Sequence, residues 1–203
     1  MAPPDAPRRY QGELSQDGAA DGIAALSENA NRLARDARIL FHARRYASAA
    51  MLAAMALAET ARISWLLAVP AAVDGVGLRR AWRRFREAPS DFPWAMCHGG
   101  RPQMSDEATN RMIDFIREFG ARVDCLNGGA WAQPERVVSR PLAQQLVEMA
   151  ELVRMNPIDP APLRVWMEVV EAAPEDAPDE EVLARFKCEL DAQGLGRYAT
   201  LLP

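Results

Sequence analysis

Histidine is scarce in this chain: only His42 and His98 occur in 203 residues. Acid–base chemistry by imidazole is therefore confined to two positions. Cysteine is nearly as rare, and Cys97, Cys125 and Cys188 are far apart and odd in number. They fit neither a disulfide framework nor a zinc-ligand spacing, so a reduced cytoplasm is the expected compartment. The sequence has no P-loop, dinucleotide fingerprint, nucleophile elbow or His-Glu metal motif, so no cofactor and no metal site are expected. Residues 1–20 lack an apolar signal-peptide core and are rich in Pro, Asp and Gln, which reads as a disordered leader. The uncharged run Ala47–Ala58 is cut off by Glu59 and Arg62. A buried core helix is expected there and no membrane span.

What the sequence has in quantity is helical periodicity, and an all-α fold follows. Ile23, Leu26, Ala30, Leu33, Ala37, Leu40 and Phe41 recur at steps of three and four, one apolar stripe of a first helix. Ser48, Leu52, Met55, Glu59, Arg62 and Leu66 make a matching stripe in a second helix, with the turn centred near Arg44 and Arg45. A carboxylate in such a stripe costs several kcal/mol to bury unless it is paired, so Glu59 is expected to hold a partner. Antiparallel pairing brings it level with residues 28–32. Asn29, Arg32, Asp36, Glu59 and Arg62 are then expected as one polar cluster, which either fixes helix register or carries chemistry. On this reading Glu59→Ala costs about 3 kcal/mol or more.

Farther along, Leu78, Trp82 and Phe85 form one stripe and Arg79, Arg83 and Arg86 another, giving a short helix with a basic face. Ser105-Asp106-Glu107 opens a helix running to about Phe119, where Gly120 supplies a stop. The Asn127-Gly128-Gly129 turn predicts a small β-hairpin whose second strand Pro134 limits. Helical spacing returns over 141–154, near 162–172, and over 179–193, the last with Asp179 as its expected cap and Gly194 as its stop. The expected organisation is a leader over 1–20, a helical bundle over 21–155 and a C-terminal helical extension over 156–203.

Charge is unevenly placed. Six arginines (79, 80, 83, 84, 86 and 101) face two acids between Arg79 and Arg101, whereas ten acids face four bases from Asn156 onward. The net charge of −4 disfavours duplex binding by overall charge. Arg79, Arg80 and Arg86 nevertheless form a face suited to RNA phosphates or to a protein partner, because guanidinium makes bidentate contacts.

Several ordered motifs carry a family resemblance: Glu28-Asn29-Ala30, Leu33, Asp36-Ala37, Leu40, Arg45-Tyr46-Ala47 and Ala56-Leu57-Ala58-Glu59-Thr60-Ala61-Arg62. They continue with Trp82-Arg83-Arg84-Phe85-Arg86, Arg122-Val123-Asp124, Asn127-Gly128-Gly129, Trp131 and Pro134. Over about 26–154 the chain resembles the AbiV family of bacterial abortive-infection proteins, grouped with the HEPN helical domains. The resemblance implies a HEPN-like bundle with a small hairpin excursion and extra C-terminal helices, a role in phage defence and a homodimeric habit. Arg62 stands where that family has lysine. Many HEPN domains are metal-independent ribonucleases using an Arg and a His a few residues apart. Here Arg86 is followed by Glu87-Ala88-Pro89, so Ala88 stands near the place of the expected histidine. The leading expectation is a helical interaction or regulatory module with a phage or host protein partner. The alternative is a ribonuclease toxin that blocks translation, with Arg83, Arg84 and His98 as its catalytic residues.

Overall fold

The computed structural model describes residues 9–72, 74–87, 106–125, 130–155, 160–174 and 178–199. Among these are nine helices: α1 (Gln16–His42), α2 (Tyr46–Ala71), α3 (Gly75–Glu87), α4 (Asp106–Phe119), α5 (Pro134–Val137), α6 (Arg140–Met155), α7 (Pro160–Ala172), α8 (Asp179–Ala192) and α9 (Gly196–Ala199). One two-stranded sheet joins β1 (Asp124–Cys125) to β2 (Trp131–Ala132). The fold is all-α with a small hairpin.

Helix α1 begins earlier than its apolar stripe. Ser15, in extended conformation, accepts a hydrogen bond on its Oγ from the Gly18 N–H at 3.0 Å, and Asp17 complements the helix dipole in the first turn. Residues 16–20, read from composition as leader, are therefore helical. At the other end Arg44 takes φ of 60°, its N–H bonds the Phe41 carbonyl and the Arg45 N–H bonds the Leu40 carbonyl. This is a Schellman motif with arginine in the left-handed position where glycine is usual. Helix α8 closes by the same two bonds, Gly194 to Asp191 and Leu195 to Leu190, with Gly194 at φ 72°. Its start differs from the expected cap: Pro178 is the capping residue and Asp179 is already helical.

The two long helices form an antiparallel hairpin whose contact is made by small residues. Ala34 and Ala37 of α1 and Ala49, Ala50, Ala53, Ala54, Ala56 and Ala61 of α2 are buried in one core with Leu33 and Leu57. Close approach is enforced at Gly22, where an added Cβ would stand 2.6 Å from Leu66 Cδ2. The α2 stripe read from the sequence is thus corrected. Ser48 and Met55 are exposed, and the alanines between them face inward. Alanine carries little hydrophobic signal, yet it lets two backbones approach.

Helix α6 packs across both members of the hairpin through Leu146, Val147, Ala150 and Val153, and α4 adds Met112, Ile113 and Ile116. A second cluster joins Leu26, Ile63, Trp65, Leu66 and Val69 to Ala81 and Trp82 of α3. A third, Val165, Val169, Phe186 and Leu190, holds the C-terminal helices together, and Trp166 touches both the second and the third. By length and composition α2 could cross a membrane, but 65% of its apolar window is buried among the other helices, so it is the core helix of the bundle.

The hairpin pairs Asp124 with Ala132 and Cys125 with Trp131, while Asn127, Gly128 and Gly129 lie outside the described residues. Pro134 does more than limit β2: it opens α5, where its missing N–H costs nothing. After α4, Gly120 is required by crowding, since a Cβ there would meet the Ile116 carbonyl oxygen at 2.5 Å.

Candidate functional site

Helix α3 divides its arginines between different surroundings. Trp82 and Ala81 are buried against α2, Leu78 and Phe85 are half-buried, and Arg79, Arg80 and Arg83 face solvent. Successive helical residues point about 100° apart, and Arg84 accordingly turns inward. Its Cζ lies 5.1 Å from the Trp65 ring centroid, and its Nη1 is buried without a hydrogen-bond partner among the described residues. Arg83 and Arg84, expected together in catalysis, therefore have different roles in the fold. Their expected companion His98 lies in segment 88–105, outside the described residues, as does Cys97.

The single polar cluster expected around Glu59 is two separate groups. On α1, Arg32 donates to Asn29 Oδ1 at 2.8 Å and to Asp36 Oδ2 at 3.3 Å, all on one helix. On α2, Glu59 Oε1 accepts from Arg62 Nη1 at 2.8 Å. Arg62 also donates from Nε to the Phe85 carbonyl at 3.2 Å and stacks 4.2 Å above the Phe85 ring. Glu59 has the charged partner it needs, but it faces α3 instead of α1. Its side chain is 19% exposed and that of Arg62 27%, so the pair is only partly withdrawn from water. Thr60, one residue on, takes the place beside α1 that the register assigned to Glu59; it lines a cleft of about 200 Å³ with Ala30 and Asn31.

Residues 9–15 run along α3 as a strap. Trp82 Nε1 donates to the Gly12 carbonyl at 2.9 Å, Arg86 donates to the Tyr10 carbonyl, and the Tyr10 ring meets Trp82 edge-on at 6.0 Å. The Arg86 guanidinium lies over Trp82, 5.3 Å from its centroid. Strap, α2, α3 and α4 together border an open cleft of about 500 Å³, into which, among the described residues, Arg9, Arg62, Arg86 and Arg117 bring four positive charges and Glu59 one negative charge. Tyr10, Trp82 and Phe85 supply its aromatic wall. Arg9, Tyr10 and Arg117 were not singled out in the sequence, because nothing local ties the strap or α4 to Trp82, which meets Gly12 across seventy residues.

A buried carboxylate was also missed. Glu151 on α6 accepts on Oε2 from Arg38 Nη1 at 3.1 Å and from Arg154 Nη2 at 3.0 Å, pinning α6 to α1, while Oε1 is buried without a partner among the described residues. Surrounded by Met149, Ala150 and Val153, it reads in sequence as one more charge on an amphipathic helix. His42 is exposed at the end of α1, with its ring against Phe41. Cys125 and Cys188 are exposed, and no group of three potential metal ligands occurs among the described residues.

The arrangement is suited to holding anions. Stacked and hydrogen-bonded guanidinium groups are fixed in direction, and fixed donors lose little entropy when they bind. No curated protein and no solved structure matches the chain. Residues 18–154, the hairpin through α6, match the profile of the HEPN family described as AbiV, and the chain belongs to that family.

Proposed function

We propose that this protein acts in phage defence as a noncatalytic interaction module of the cytoplasm, docking a phage or host protein through the exposed arginines of α3. The AbiV family name supports the process. The observation that carries the mode of action is the division of the arginines. Arg62, Arg84 and Arg86 hold aromatic rings or backbone carbonyls, which leaves Arg79, Arg80 and Arg83 as the solvent-facing row. A row of exposed guanidinium groups steers and orients an acidic partner surface.

The ribonuclease reading needs a proton donor or acceptor beside these cations. His42 does not supply it, since Glu59 stands thirteen residues beyond Tyr46, roughly 20 Å along α2 from the turn that follows His42. Of the two histidines, only His98 is left to that reading. A homodimer is part of the proposal, but not through the apolar side of α2, which α1, α4 and α6 cover within one chain. Exposed Ile39 and Met55 remain available on the hairpin.

The test is phage plating on cells expressing R79E/R80E/R83E. All three side chains are exposed, so the melting curve should match wild type while protection is lost. Full protection by this variant would remove the α3 face from the account.

A further inference from the structure

We infer that the cleft between α1, α2, α6 and α7 binds a small carboxylic acid whose apolar body is the size of a single ring or a short alkyl chain. No described residue of α3 lines this cleft, so the site stands apart from partner docking.

The space has a cause in the sequence. Ala30 of α1, Ala56 of α2 and Ala150 of α6 are buried and line the cleft together, and three methyl groups leave unfilled the room that larger side chains would take. Ile63, Leu67 and Val153 extend the apolar wall. Ten of the twelve lining residues are buried or half-buried, so most of this space is interior. Its volume of about 200 Å³ exceeds the roughly 150 Å³ of an engineered apolar cavity that takes up benzene. Thr60, 5% exposed, stands in the same wall, but its hydroxyl already donates to the Ala56 carbonyl at 3.0 Å. An apolar body can therefore lie against it without leaving a donor unpaired.

The two exposed lining residues set the chemistry of the head group. They are Arg154 near the end of α6 and Arg164 on α7, and no acid lines the cleft among the described residues. Arg154 donates to Glu151, but that carboxylate is shared with Arg38 and balances only one of the two cations. Arg164 adds a further positive charge. A carboxylate at this rim gains charge-assisted hydrogen bonds while its body displaces water from the alanine floor. Arg164 lies beyond residues 18–154, so the site joins the bundle shared with the family to this chain's C-terminal helices.

The experiment is calorimetric titration of the full chain with phenylacetate, hexanoate, hexanol and acetate, with methyl shifts in two-dimensional NMR spectra locating the site. Phenylacetate and hexanoate should bind and shift the methyl groups of Ala56, Ile63 and Val153. Hexanol, a body without the charge, should bind about tenfold more weakly than hexanoate, and acetate, a head without the body, should not bind. Arg164→Gln, at an exposed position, should weaken hexanoate about tenfold and leave hexanol unchanged. Ser27→Phe fills the cleft from a half-buried position on α1 and should abolish binding of all the ligands. R79Q/R80Q/R83Q should leave the affinities unchanged. Absence of both heat and methyl shifts with phenylacetate and hexanoate at millimolar concentration overturns the inference and makes the space loose packing between α7 and the hairpin. So does hexanol binding as tightly as hexanoate, or affinity indifferent to Arg164→Gln and Ser27→Phe.

Discussion

Replacing Glu59 by alanine tests the polar pair at the α2–α3 junction. The cost expected from the sequence, about 3 kcal/mol or more, assumes that a cation is left buried and unpartnered. The structure lowers that figure. Arg62 keeps its bond to the Phe85 carbonyl and its stack on the Phe85 ring, and at 27% exposure its freed Nη1 reaches water. What is lost is one charge-assisted hydrogen bond of 2.8 Å between two partly exposed groups. Such a bond contributes about 1.5 kcal/mol here, the low end for charged partners, because solvent screens both ends. In a chain of this size that shifts the melting temperature by roughly 3–6 °C. Urea unfolding followed by far-ultraviolet circular dichroism measures it. A double-mutant cycle with Arg62→Ala isolates the pair, with an expected coupling of about 1 kcal/mol. A loss above 3 kcal/mol would show that Arg62 is orphaned and that the solvent argument is wrong. No loss at all would show that the pair does not form.

Arg44→Gly should stabilise the fold by about 1 kcal/mol, because the left-handed position that arginine occupies after α1 is occupied by Gly194 in the matching cap of α8; a lower denaturation midpoint would contradict this. Glu151→Met should change stability by less than about 1 kcal/mol, since it removes a carboxylate oxygen buried without a partner among the described residues and leaves Arg38, 58% exposed, free to be solvated. A loss of several kcal/mol on equilibrium unfolding would instead make Glu151 a net-favourable anchor of α6.

Much of the fold was legible because it is local. The stripe from Ile23 to Phe41 sets the face of α1, and the turn at Arg44 and Arg45 fixes the hairpin level, which the Gly22–Leu66 approach reproduces. The alternation of Trp82 and Phe85 with Arg79 and Arg83 sets α3. The side to which Glu59 turns was not legible. Two helices at the correct level still differ by rotation about their axes, and the buried side of α2 is made of alanines, whose hydropathy barely separates them from the residues between. Nor was the arginine cleft, since it is assembled from a strap, two helices and the shoulder of a third. Its members are brought together by Trp82 reaching Gly12, a contact that no periodicity encodes.

The central claim is that the protein defends by binding and not by cleaving RNA. The most direct measurement is incubation of the purified chain with total bacterial RNA at micromolar concentration without added metal, followed by electrophoresis, alongside phage plating of cells expressing the same protein. The account predicts protection in the plating assay and intact RNA in the tube. Cleavage by the wild type that His98→Ala abolishes would contradict it.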